Sequence, residues 1–151
     1  MTVANHAALG ALIALTVKEP ALVLPLAFVS HYALDALPHF GYPGGGGFGE
    51  AFKHKLTLVY GIFDSVTSII FIILILNTGW LVYVAAATAV APDIANFCRY
   101  YFKERKGLSK PSEGNIISRF HHRIQWGHRP WGLFVESAMT AFLFVIIAHL
   151  K

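Results

Sequence analysis

Apolar residues run almost unbroken through most of this chain, and a few short interruptions divide it into helix-length stretches. Lys18-Glu19-Pro20 makes the first break, with Pro20 suited to the opening turn of the next helix. The run from Gly41 to Gly49 cannot hold a regular element, because glycine has too much backbone freedom to lose and Pro43 breaks pairing. Asn77-Thr78-Gly79 gives a tight turn, and a polar, basic stretch precedes the last apolar run. The pattern predicts helices over about 3–17, 20–37, 54–76, 80–102 and 130–149, a glycine-rich loop at 41–49 and a basic loop at 103–129. The stretch 54–76 is the clearest membrane span. Residues 3–17 reach only about 22 Å at ~1.5 Å per residue, against a hydrocarbon core of roughly 30 Å. That first helix must sit beside longer ones, thin the bilayer or stop short. Its small residues, Ala7, Ala8, Gly10, Ala11 and Ala14, permit close packing.

Composition places the chain in the membrane class. Of its 151 residues 56% are hydrophobic and 13% charged, where a soluble domain carries roughly a quarter charged. The fold class expected is all-α: one integral membrane domain over 1–151, a bundle of about five helices with a short first helix. The net charge of +4 is carried mostly by one loop, so it marks a local basic surface and not a nucleic-acid partner. Cys98 stands alone and can form neither an intrachain disulfide nor a thiolate zinc cluster. The first apolar run lacks a basic leading region and a small-residue cleavage site, so it is expected to stay in the mature protein. Trp80 and Tyr83 at one end of 80–102, and Tyr100 and Tyr101 at the other, fit interfacial belts.

Charge then orients the helices. Arg99, Lys103, Arg105, Lys106, Lys110, Arg119, Arg123 and Arg129 outweigh Glu104 and Glu113, which places loop 103–129 on the cytoplasmic side. Alternating the spans from there brings His6, His31, Asp35, His39, Asp64, Asp93 and Glu136 to the cytoplasmic half. Lysines and arginines alone set that topology, yet it gathers the acids and histidines at one depth. A carboxylate at such depth costs about 2.5–3.5 kcal/mol to insert, so these groups are expected to face one another or a wet cavity.

The densest chemistry lies at His31-x-x-x-Asp35, with His39 four residues on. Residues i and i+4 share a helix face, so His31 and Asp35 point together, with His39 about a turn further unless Pro38 ends the helix first. Converging carboxylates repel unless a cation or proton joins them. Histidine and carboxylate without thiolate suits a divalent metal, zinc by default for hydrolysis, with manganese or iron as alternatives. The candidate ligands are His6, His31, Asp35, His39, Asp64, Asp93 and His121. Adjacent His121 and His122 cannot face the same way on a helix, so one is ligand or base and the other surface. Glu136 or His122 is the candidate general base. Arg119, Arg123 and Arg129 are candidates to neutralise a lipid phosphate. The same arginines, with Trp126 and Trp131, equally describe an interfacial belt.

His6 in Asn-His-Ala-Ala-Leu-Gly-Ala, the His31-x-x-x-Asp35 pair, Ala91-Pro92-Asp93-Ile94 and the elements from His121 to His128 resemble the predicted membrane-bound metal-dependent hydrolases, a bacterial and archaeal group. Asn96 and Phe97 stand where that family carries a second aspartate and a histidine. The resemblance implies a metal-dependent hydrolase of a bacterial or archaeal cell membrane, related to phospholipase-like enzymes. The expected function is hydrolysis of a lipid-linked ester, above all a phosphoester, at the cytoplasmic leaflet, with membrane lipid as partner. The alternative is a small ion- or proton-coupled carrier or channel component using the same buried Asp/His network. The short first helix leaves room for a homodimer that completes the bundle.

Overall fold

The computed structural model describes residues 1–41, 54–103, 106–108 and 116–151, without the side chains of Ser118, His122 and Gln125. The glycine-rich loop beyond Gly41, much of the basic loop and the His122 side chain therefore lie outside the described residues. Among the described residues the fold is all-α apart from one two-residue strand pair. Helix α1 is Val3–Val17, α2 Pro20–Asp35, α3 Lys55–Ile75, α4 Trp80–Phe102, α5 Ile116–Ile124 and α6 Gly132–Leu150. Strand β1, His39–Phe40, pairs in parallel with β2, His128–Arg129, setting His39 opposite His128.

Local chemistry explains the boundaries. Thr2 caps α1 by accepting from the Asn5 amide at 3.3 Å, and Lys18 closes that helix in the left-handed conformation. Pro20 opens α2 without an N–H to waste. Its end differs from expectation: α2 stops at Asp35, because Pro38 lacks an amide and disfavours a helical Leu37. His39 therefore sits on a strand and not one turn beyond Asp35. The basic stretch also departs from a plain loop, since it contains α5, a 3-10 turn at Gln125–Gly127 and β2. Pro130 and Trp131 precede α6 instead of opening it.

Helices α3, α4 and α6 are long and apolar enough to cross a membrane, and α1 and α2 are shorter apolar helices. This fits a membrane protein. Large apolar side chains cover the outside, among them Leu58, Ile62 and Ile73 on α3 and Phe134 and Phe142 on α6. Helix α1 is the hub, packed against α2, α3, α4 and α6. It can be so because its inward face is small: a methyl added at Gly10 would stand 2.6 Å from the Ala85 carbonyl oxygen of α4. Between them, Ala7, Ala8, Ala11, Ala85, Ala86 and Ala89 fill the core with little more than backbone.

The ends of the bundle fall into register. Ala14 of α1 and Lys18 after it, Leu76 after α3, Gly79 before α4 and Leu150 of α6 line one shallow pocket, so four helix ends meet at one face. The opposite halves of those helices carry Tyr60, Asp64, Asp93 and Glu136, with Thr2 at the start of α1.

Candidate metal centre

Asp35, the last residue of α2, stands at the middle of the polar end with its side chain wholly buried. Its Oδ2 lies 2.5 Å from His121 Nε2 and 3.3 Å from His31 Nε2. Its Oδ1 lies 3.2 Å from His6 Nε2 and accepts a hydrogen bond from the Met1 ammonium at 2.8 Å. Asp93 of α4 approaches from the other side: Oδ1 is 3.7 Å from His31 Nε2 and 3.8 Å from His121 Nε2, and Oδ2 is 3.8 Å from His6 Nε2. One ligand atom from each of His31, Asp35, Asp93 and His121 lies within 4.8 Å of the others. At metal–ligand distances of about 2.1 Å, two ligands on a tetrahedral ion stand roughly 3.4 Å apart, so these spacings suit a metal with small adjustment.

The ring orientations suit ligation as well. His31 Nδ1–H donates to the Ala89 carbonyl at 2.9 Å, which fixes the tautomer and leaves the Nε2 lone pair turned inward. The Asn96 amide nitrogen donates to His121 Nδ1, which orients that ring and puts its proton on Nε2 facing Asp35 Oδ2, where a cation would take its place. Asn96 follows Asp93 by three residues, so both project from one face of α4. His6 and His31 stack with centroids 4.0 Å apart. His6 is fully buried and neither ring nitrogen is hydrogen bonded. Tyr32 walls the cluster, edge-on to both His31 and His121. The side chain of Asp93 is 22% exposed and that of Asp35 is not exposed at all, so solvent reaches the centre on the Asp93 side.

The other expected site residues have separate work. Asp64 accepts from the Val3 and Ala4 amides, both at 3.1 Å, and so caps the start of α1 from a neighbouring helix. Glu136 is fully buried; Oε1 accepts from the Phe40 amide at 2.6 Å, and Oε2 from the Thr2 amide at 2.7 Å and the Tyr60 hydroxyl at 2.8 Å. A carboxylate holding three donors is a clamp between segments. His39 Nδ1–H donates to the Leu37 carbonyl at 2.7 Å, and its ring meets His128 edge-on at 4.6 Å. Burial, with help from the Met1 ammonium, pushes His39 down to about 3, so it stays neutral. Burial alone would lower the Met1 amine, but Asp35, Glu136 and Asp93 hold it up at about 10.

Arg119 and Arg123 are exposed, each two residues from His121 and thus about 200° around α5 from the inward-facing ligand. Arg129 is exposed as well and donates to the His128 carbonyl at 2.8 Å. Trp126 and Trp131 are exposed beside them, as an interfacial belt requires.

The structure thus joins His31, Asp35, Asp93 and His121 into one group with His6 against it, and leaves His39, Asp64 and Glu136 outside. Asn96 was not among the expected site residues, although its spacing from Asp93 was visible. Comparison with protein-family models, curated proteins and solved structures finds no match for this chain.

Proposed function

We propose that this chain is a membrane-embedded, divalent-metal-dependent hydrolase acting on a lipid-linked ester, with a phosphoester the favoured class. The observation that carries this reading is the convergence of His31, Asp35, Asp93 and His121 at one end of a bundle whose helices suit a bilayer. His31, Asp35 and His121 would hold the ion, zinc by default, and the accessible Asp93 completes the set on the side open to water and substrate. The ion supplies a Lewis acid for the ester and an acidified water. Arg99, Lys103, Arg119, Arg123 and Arg129 belong to the same end, where they favour an anionic headgroup surface without touching the metal. By sidedness of charge that end faces the cytoplasm.

The carrier alternative fares worse on one observation. A relay needs polar groups along the bundle, whereas beyond Ser30, Thr67 and Thr140 the buried interior is Ala11, Ala14, Val23, Val82 and Ala85 among the described residues. Elemental mass spectrometry of the detergent-purified protein, wild type beside His31→Ala, tests the reading. Stoichiometric transition metal that disappears in the variant supports it and opens a screen of phospholipids and lipid phosphates. A folded wild type that retains no added metal removes it.

A further inference from the structure

The two carboxylates divide their oxygens between two sets of imidazoles. Asp35 Oδ2 and Asp93 Oδ1 face His31 and His121, at 3.3 and 2.5 Å for the first oxygen and 3.7 and 3.8 Å for the second. Asp35 Oδ1 and Asp93 Oδ2 face His6 instead, at 3.2 and 3.8 Å. A single ion between His31 and His121 uses one oxygen of each aspartate. It leaves the other two oxygens aimed, with His6 Nε2, at a second point.

His6 supplies an independent observation. Its imidazole is fully buried, Nδ1 has no partner, and Nε2 meets Asp35 Oδ1 at 3.2 Å and Asp93 Oδ2 at 3.8 Å without hydrogen-bond alignment; in an apolar bundle that costs free energy which a cation on Nε2 would recover. A positive charge already serves the same side, since the Met1 ammonium donates to Asp35 Oδ1. That ammonium is the competitor any cation there must displace.

Resting on the metal reading above, we propose that the centre takes two divalent cations bridged by Asp35 and Asp93, the first held by His31 and His121 and the second by His6. The second place has one imidazole against two and contends with an ammonium, so it fills later and exchanges faster. Two ions about 3.5–4 Å apart are the arrangement that steadies both the attacking and the leaving oxygen of an in-line displacement, which points to a phosphoester over a carboxylic ester as substrate.

The test is a titration of chelator-stripped, detergent-purified full-length protein with Mn²⁺, following bound metal by elemental analysis and spin coupling by electron paramagnetic resonance. Wild type is expected to bind two Mn²⁺ per chain, the six-line signal of the first giving way to an exchange-broadened spectrum as the second loads. His6→Gln is expected to stop at one, with the tighter affinity changed by less than about threefold, or under about 0.7 kcal/mol. Saturation of wild type at one Mn²⁺, lost in His31→Gln, overturns the second cation, keeps the metal-dependent reading and leaves the Met1 ammonium as the charge serving Asp35 Oδ1. No bound Mn²⁺ in folded wild type overturns both. Should His6→Gln fail to fold, the wild-type count and spectrum decide alone.

Discussion

Replacing Glu136 by Gln separates a structural carboxylate from a catalytic one. The carboxylate accepts from Phe40 on Oε1 and from Thr2 and Tyr60 on Oε2. An amide of the same shape keeps one acceptor and must turn its NH₂ toward a donor. The least costly choice faces Phe40, losing one charge-assisted bond, opposing donor to donor and demoting the other two bonds to neutral ones. With hydrogen bonds to charged groups worth about 1.5–3 kcal/mol and neutral ones about 1, one bond lost and two weakened is a loss of about 2.5–7 kcal/mol. Tyr60→Phe is the control. It removes one of the three bonds without opposing donors, so on the same scale it costs about 1.5–3 kcal/mol.

The assay is unfolding of the purified protein by titrating sodium dodecyl sulfate into mixed micelles, followed by circular dichroism. The expected order is wild type above Tyr60→Phe and Tyr60→Phe above Glu136→Gln. A Glu136→Gln protein as stable as wild type refutes the clamp. If that protein has also lost metal-dependent hydrolysis, Glu136 returns to the role of general base.

Three further outcomes follow from the same contacts. Gly132→Ala would set a methyl 2.1 Å from the His39 carbonyl carbon and 2.3 Å from its oxygen, so β1 must move; the same titration should show a loss of at least about 1–3 kcal/mol, and an unchanged midpoint would mean β1 is not seated there. Asp64→Ala removes the cap on the Val3 and Ala4 amides and should cost about 0.5–2 kcal/mol while metal content stays at the wild-type level; loss of metal in that variant would make Asp64 a ligand. His39 lies near 3 when folded and 6.5 when free, so the unfolded chain binds the extra proton, and stability, full above 6.5, falls as pH drops toward 3. Midpoints at pH 7 and pH 5 should therefore diverge in the metal-free wild type and draw together in His39→Gln.

The sidedness of lysine and arginine was enough to put His6, His31, Asp35, Asp64, Asp93 and Glu136 at one end, and the structure keeps them there. It could not say which carboxylates meet the imidazoles and which serve the backbone. Asp64 and Glu136 answer donors that no side-chain pattern records, namely the amides of Thr2, Val3, Ala4 and Phe40. His39 was separated from Asp35 by Pro38, whose effect was legible but competed with an attractive four-residue spacing. Helix α5 was hidden for another reason: nine residues with arginines at 119 and 123 read as charge, although Ile117, His121 and Ile124 mark one face. The signal for Asn96 was its spacing of three from Asp93, which acquires meaning only once His121 is known to lie opposite.

The lengths of the helices explain why a polar centre forms inside an apolar bundle at all. Helices α1 and α2 hold 15 and 16 residues, and α3, α4 and α6 hold 21, 23 and 19. At ~1.5 Å per residue the short pair reaches about 22–24 Å and the long ones about 28–35 Å. Because α1, α3, α4 and α6 share one end at the Lys18–Gly79 pocket, the shortfall of α1 accumulates at the opposite end. There the unsatisfied first amides of α1 and the last carboxylate of α2 fall level with the walls of longer helices instead of reaching the surface. Backbone amides left within a bundle must be answered by acceptors, and Asp64 and Glu136 from α3 and α6 answer them. With those acids spent on the ends of α1, the carboxylates of Asp35 and Asp93 remain for the imidazoles. The short first helix is thus the cause of the site, and lengthening α1 by one turn at its N-terminal end should abolish metal binding while leaving the Gly10–Ala85 packing in place.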